Sequence, residues 1–595
     1  MMRNFKMSHI TAILSLVLVT GCQQAQQGLF PDDVMIIVDA NRDGRAETTN
    51  LSDIALRQNA SVNAGAIILP NIGDSEHRCP DSGSTMTDDE LEQCHDASDN
   101  IARATENFAP VQILPFPEDT QSASLTVDEA SQEHVRLFAL RGKNWEYLES
   151  GAALTDDELR NGATLGIDAR DVVRDKQKWS GTVTLSIEAV SASGRASDYA
   201  QLHVAPVITY NHTEDAKMVL SSQSGESANH KVFIQDLRKA VTESGLKTPV
   251  QLMSTIDNWA QDYVEFGYVS MPKANGERAV IQIAMRSPQP GRVGGRAVFD
   301  FKGPGFGAIQ LGGEGYHQVD SFGNLETVPP YSVGGSTYPV GRIIYGDAGD
   351  GISPHQDWRN FFASQEIQAP IILDTSWLAI GHVDEFVQFV PADTPRGWKM
   401  TILSPKRLIS MLENAVAQGY GDVLAYSKPG HSQRTISDIL NNKKLMAENT
   451  LAQQKIDENR AVLVKELGLK EDEIIEVPGM VKQAFFDEED RADFAKVDYK
   501  QPADDMKITY GPGKLLSAHP GAINGIVIDE SHYISPQQFG PVIGDVDILQ
   551  EAVTSAYLKA GLEVEYVDDW YTHHAMAGEV HCGTNTIREI GNNWW

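Results

Sequence analysis

Gly578-Glu579-Val580-His581-Cys582-Gly583-Thr584-Asn585 sets one thiol in a short polar loop of small residues, close to the end of a 595-residue chain. Far upstream, Gly381-His382-Val383-Asp384-Glu385 gathers a histidine and two carboxylates. A lone cysteine whose histidine and acid partners come from distant sequence is the arrangement of a thiolate nucleophile: the thiol needs a group to take its proton, and that group needs to be oriented. The chain therefore reads first as an enzyme.

Its length exceeds what one hydrophobic core serves, so two or more domains are expected. There are 82 acidic and 49 basic residues, a formal charge of -33. That balance argues against a nucleic-acid partner, which requires clustered Lys and Arg to neutralise phosphates. An acidic surface attracts cations, Ca2+ and arginine-rich peptides among them, and also serves solubility.

At the start, Arg3 and Lys6 precede an apolar run from Ile10 to Val19, followed by Thr20-Gly21-Cys22. The run is too short to span a bilayer as a helix, and its charged start and small-residue end read as an export signal. Cys22 resembles the lipidated cysteine of a bacterial lipoprotein, so residues 1–22 are expected to be a signal with its lipobox and residues 23–33 a tether. Localisation is then a lipid anchor at the cell envelope, periplasmic or at the cell surface. Export leaves Cys79, Cys94 and Cys582. An oxidising compartment favours a Cys79–Cys94 bridge across their polar loop, worth about 3 kcal/mol in the chain-entropy model, and Cys582 remains as the odd, reactive thiol.

Residues 34–205 show short apolar or alternating runs between turn-rich stretches, among them Val135-Arg136-Leu137-Phe138-Ala139-Leu140 and Thr182-Val183-Thr184-Leu185-Ser186-Ile187. This spacing predicts an all-β sandwich. From residue 206 the signals alternate between strand and helix. Val232 to Leu237 has helical spacing, Ala279 to Ala284 reads as strand, and a long helix is expected across Leu445 to Leu467, with Leu451, Ile456, Leu463 and Val464 on its apolar face.

Three further motifs carry chemistry. Asp39-Ala40-Asn41-Arg42-Asp43-Gly44 has the alternating oxygens and turn glycine of a Ca2+ loop, yet the twelfth position is Asn50 where an EF-hand places a bidentate Glu. It is a calcium loop of another kind, with Glu47 and Asp74 as further donors, or an Asx-rich turn. In Asn258-Trp259-Ala260-Gln261-Asp262-Tyr263-Val264-Glu265, an aromatic beside an acid suits a planar cation. In His382-Val383-Asp384, strand geometry would put both polar side chains on one face.

Together with Asp320-Ser321-Phe322-Gly323-Asn324-Leu325-Glu326 and Phe539-Gly540-Pro541-Val542-Ile543, these motifs occur in the order found in the protein-arginine deiminases. The resemblance runs from Pro206 to the C-terminus. It implies a catalytic domain of the pentein type over residues 206–595, a five-fold pseudosymmetric α/β propeller, preceded by a calcium-binding immunoglobulin-like middle domain over residues 34–205. The extra N-terminal domain of the vertebrate members is expected to be missing, since the signal leads almost directly into the middle domain. The resemblance assigns Cys582 as nucleophile, Asp262 and Asp384 as guanidinium-holding acids, His382 as acid then base, and Trp259 as a wall of the substrate passage. Gln261, Glu265 and Glu326, with the carbonyls of Phe322 and Leu325, are the implied Ca2+ ligands. The implied partners are arginine-containing proteins or peptides and, through the lipid, a membrane; a homodimer is left open.

Two departures from the vertebrate pattern stand out. Tyr263 occupies the place of a calcium-binding acid, and Met285-Arg286-Ser287-Pro288-Gln289-Pro290-Gly291-Arg292 replaces a segment that carries another acid and a substrate-gripping arginine, for which Arg292 is the equivalent here. Rival readings are a hydrolase of free arginine or another small guanidine, and a surface lipoprotein that binds calcium or arginine-rich peptides without catalysis. An adhesion module built on the β-sandwich is a third.

Overall fold

The computed structural model describes residues 34–484, 488–499 and 512–595. The export signal, Cys22 and the tether lie outside the described residues. Among those described, no helix is long and apolar enough to cross a membrane.

Alternation builds the first region. In Thr182–Ser191, Val183, Leu185, Ile187 and Ala189 are buried while the residues between them are more exposed, the period of two expected of a strand with one wet face. Such strands form two five-stranded sheets. One runs in the order Ile36–Val38, Ala109–Ile113, Ala163–Ala169, Val135–Arg141, Asn144–Leu148, all antiparallel. The other runs Ala66–Ile68, Gly194–Val204, Thr182–Ser191, Thr120–Val127, Ala152–Ala153, antiparallel except for its first pair. Val111, Leu165 and Ile167 from the first sheet share a core with Leu125, Leu185 and Leu202 from the second. The structure joins Cys79 to Cys94 by a disulfide.

From Ile208 onward one unit recurs. Two antiparallel strands are followed by a helical crossover to a third strand that lies parallel to the middle one. Val264–Pro272, Arg278–Arg286 and Phe306–Gln310 form such a set, as do Leu325–Val328, Arg342–Asp347 and Ile371–Asp374. Val387–Pro391, Trp398–Ser404 and Ile474–Pro478 form the next, then Ile526–Val527, His532–Pro536 and Glu563–Val567. In a fifth sheet the beginning and end of this region meet: Ala216–Ser222 pairs parallel with Gln251–Met253 and antiparallel with Thr584–Arg588. Its crossover helix, Ala228–Glu243, starts where Ser227 Oγ accepts the His230 N–H and buries Phe233, Ile234, Leu237, Ala240 and Val241 at helical spacing.

The expected long helix is Lys443–Leu467, capped by Asn442 and stopped by Gly468 in the left-handed conformation. Its buried face differs from the expected one. Leu451 is exposed, and the stripe is Leu445, Asn449, Ala452, Ile456, Asn459, Leu463 and Leu467. Two of those positions are polar because both amides serve neighbouring backbone: Asn449 bonds the N–H and C=O of Val481, and Asn459 does the same for Asp374.

Candidate active site

Each of the five sheets contributes to one place, and each does so from the same position, at or just before the strand that pairs antiparallel with its middle strand. Asp262 closes the short helix Ala260–Tyr263 before Val264. Phe322 precedes Leu325 and Glu326 begins that strand. His382 and Asp384 precede Val387, Asn524 precedes Ile526, and Cys582 precedes Thr584. The His-x-Asp pair is not in a strand as expected. Val383–Glu385 is a single 3-10 turn after an extended His382, and the turn aims both side chains inward, His382 Nδ1 lying 4.0 Å from Asp384 Oδ1.

The cysteine is buried and reduced. Its Sγ lies 3.8 Å from Asp384 Oδ2. Its N–H donates to Asn524 Oδ1 at 3.1 Å, its carbonyl accepts from the Gln261 N–H at 3.2 Å, and Asn524 Nδ2 donates to the Asp384 carbonyl at 3.3 Å. Asn524 thus ties the nucleophile to the acid through their backbones, and nothing in its sequence surroundings marks it. Burial, then the charges of Asp384 and Asp262, hold the Cys582 thiol well above its ordinary pKa.

His382 Nε2 faces the Gln318 carbonyl at 2.8 Å. A carbonyl only accepts, so Nε2 carries the hydrogen and Nδ1 presents its lone pair to the cleft. There Nδ1 lies 3.9 Å from Asp262 Oδ1. His382 Nδ1, Asp262 Oδ1 and Asp384 Oδ1 are all buried without a hydrogen-bond partner, which is costly unless something polar sits among them. Gly323 leaves the gap open: a Cβ there would stand 2.4 Å from His382 Nδ1. Likewise, a Cβ on Gly578 would stand 2.3 Å from the Trp259 ring, so the nucleophile loop packs directly on that buried indole.

Arg292, expected to grip the substrate backbone, is placed beside Asp262. Only 1% exposed, it bonds Asp257 through Nε at 3.0 Å and Asp262 Oδ2 through Nη1 at 3.0 Å. Two carboxylates hold it in place. Burial raises the Asp262 pKa, against the opposing pull of Arg292 and His382.

Several of the oxygen donors expected around a cation lie close together. Gln261 Nε2 donates to Glu265 Oε2 at 2.8 Å and lies 3.4 Å from the Phe322 carbonyl. Burial raises Glu265 to about 8, and burial with the charges of Asp384 and Glu265 holds Glu326 well above its usual value. Glu326 Oε1 has no hydrogen-bond partner. Leu325 opens the strand alongside, opposite Tyr345. Crowded, unsatisfied carboxylates of this kind fit a hard cation.

The Asp39 loop behaves differently. Asp39 accepts from the N–H groups of Asp43 and Gly44, Asn41 bonds Asp43, and Glu47 pairs with Arg45. Asp74 spends its oxygens on the Arg78 and Cys79 amides. These carboxylates serve their own turns, and burial raises Asp39 to about 7. Among the described residues, the one gathering of three or more His, Cys, Asp or Glu side chains with metal-site spacing is elsewhere, at His212, Glu326 and His581.

A cavity lined by Glu385, His431, Asp493, Asn524, His574 and Ala577 opens onto Cys582. Asp493 on its rim bonds His431, the Trp570 indole and Lys496. The cleft is thus an acidic, aromatic-sided passage ending at a thiol between two carboxylates.

Comparison with known proteins agrees with that geometry. The family model described as protein-arginine deiminase matches residues 195–595. The chain is similar to human protein-arginine deiminase type-4, 31% identical over 439 residues that cover 70% of this chain and 60% of that one. It is 29% identical to the mouse type-4 protein, with 89% and 78% covered, and 27% identical to human type-1, with 95% and 82% covered. With its cysteine, histidine and two acids converging as they do, the chain belongs to the protein-arginine deiminase family.

Proposed function

We propose that the protein hydrolyses peptidyl-arginine to peptidyl-citrulline and ammonia, in a calcium-dependent reaction. The observation that carries this reading is the group of unpartnered buried atoms, Asp262 Oδ1, His382 Nδ1 and Asp384 Oδ1, set around a thiol. A guanidinium, planar and cationic, satisfies two carboxylates with charge-assisted hydrogen bonds. Its positive charge also offsets the two negative charges that keep Cys582 protonated, so substrate binding itself favours the thiolate. The thiol proton passes to His382 Nδ1 as Sγ bonds to the guanidinium carbon. His382 Nδ1 delivers a proton to the departing nitrogen, and ammonia leaves a thiouronium. The same Nδ1 takes a proton from water, the water oxygen bonds to carbon, the C–S bond breaks, and the ureido product frees the thiolate.

Bound at Gln261, Glu265, Glu326 and the carbonyls of Phe322 and Leu325, Ca2+ would supply positive charge beside the Cys582 loop and Asp262. This chain's part is positional: Gln261 adjoins Asp262 and bonds the Cys582 carbonyl, so fixing one orders the other two. The recurring five-sheet unit supports the pentein propeller reading, and the two-sheet region before it supports the immunoglobulin-like one. Cys22 and the apolar run before it support a lipid-anchored protein of the cell envelope, for which loss of acyl labelling in Cys22→Ser is the check. Colorimetric citrulline formation from a blocked arginine peptide tests the reaction, with Cys582→Ser as the blank. Silence of the wild type under saturating calcium would leave a binding protein instead.

A further inference from the structure

One cluster borders that chemistry and shares Glu326 with the oxygen set assigned to calcium. Beside the nucleophile, His581 Nδ1 lies 2.9 Å from Asp384 Oδ2. A carboxylate accepts, so Nδ1 carries the hydrogen and Nε2 presents a lone pair on the far side. That Nε2 faces Glu326 Oε1 at 3.8 Å, the oxygen with no hydrogen-bond partner on a carboxylate that is only 3% exposed. A lone pair facing an unpaired carboxylate oxygen is repulsive until a proton or a metal cation lies between them. The third wall is His212, whose side chain is 12% exposed and whose Nδ1 lies 4.0 Å from Glu326 Oε2 and 3.2 Å from the Phe389 carbonyl, a bond that ligation through Nδ1 would replace. One ligand atom from each of the three residues lies within 4.8 Å of the others.

We propose that His212, Glu326 and His581 form a site for a borderline-soft divalent cation of the Zn2+ class, and that its occupation inhibits the enzyme. Two imidazoles and one carboxylate, with a water in the fourth position, are a zinc donor set, whereas calcium takes oxygen. Ligand distances of about 2.0–2.2 Å require the three side chains to close by roughly 1 Å. The Asp384–His581–metal line is the carboxylate–histidine pairing that fixes a ligating imidazole.

Inhibition follows from the shared groups. Zinc on His581 puts positive charge beside Asp384, which holds the guanidinium, and it takes Glu326 from the oxygen set assigned to calcium. That last clause rests on the calcium reading; zinc binding itself does not.

Zn2+ titrated into the full chain against a chelating indicator tests the site, with Cys582→Ser and His212→Gln run alongside. His212 lies outside the catalytic machinery, so His212→Gln is expected to keep its zinc-free citrulline rate. One Zn2+ per chain is expected in the wild type and in Cys582→Ser, and at least a tenfold weaker site in His212→Gln. Co2+ in place of zinc should give visible d–d bands without sulfur charge transfer. Because Cys582→Ser has no turnover, its zinc stoichiometry stands whether or not the deiminase reading does. Equal binding by His212→Gln and wild type, or binding lost with the thiol, would overturn the proposal. Zinc inhibition as strong in His212→Gln as in wild type would do the same.

Discussion

Asn524 holds the nucleophile loop by two hydrogen bonds, accepting the Cys582 N–H at Oδ1 and the His581 N–H at its carbonyl, and its Nδ2 donates a third to the Asp384 carbonyl. Its replacement by Ala should leave the fold intact and lower kcat by about 10²-fold, the scale of a misplaced reacting atom; an unchanged kcat would remove it from the site. Gly323→Ala should cost activity more than stability, since the added methyl meets His382 Nδ1. Normal turnover with an unchanged melting temperature would count against that reading. At this scale the sequence was partly legible. Cys582, His382, Asp262 and Asp384 announced themselves as chemistry-bearing types inside unusual motifs. Asn524, Gln318 and Asp257 did not, because a hydrogen bond made through a common amide, carbonyl or acid leaves no pattern in a chain. Arg292 was legible as a cation, but its two carboxylate partners are visible only in three dimensions.

Secondary structure was legible where burial is periodic, as in Thr182–Ser191 and Lys443–Leu467. The face of the long helix was misread because two buried positions are asparagines, which hydropathy assigns to solvent. Their worth is measurable: Asn449→Ala would leave the Val481 N–H and C=O unsatisfied, a loss of about 1–3 kcal/mol. Chemical denaturation should report it as a lowered midpoint, and a midpoint within error of wild type would contradict the role assigned. His382-Val383-Asp384 likewise looked like a strand because its pattern alternates. The structure makes it one 3-10 turn, since Glu385 accepts the N–H groups of Gly381 and His382 and folds the segment back.

At the scale of the molecule, the site exists because five sheets converge, and its crowded carboxylates are costly unless they are protonated or paired with a cation. Glu265 shows the consequence for pH. Its pKa is raised from 4.5 to about 8, so the folded protein without metal binds that proton more tightly than the unfolded chain does. The stabilisation is full below pH 4.5 and is lost as pH rises through about 8. Thermal melts without metal should therefore fall across that window, less steeply in Glu265→Gln, and saturating calcium should restore stability at its upper end. An identical slope in Glu265→Gln would deny the carboxyl this part. The two regions of the chain meet through the disulfide loop: Asp88 pairs with Arg286 and Arg296, and Lys302 Nζ donates to the Cys94 carbonyl at 2.6 Å. None of these pairings was legible from sequence, because they join residues about 200 positions apart.

The most direct test measures citrulline from a blocked arginine peptide and from free arginine in parallel, each with calcium and with excess chelator, against Cys582→Ser. Calcium-dependent product from the peptide, absent with chelator and absent in the variant, is the expected result. Full turnover in chelator would contradict the metal's role, and product from free arginine alone would contradict the peptide substrate.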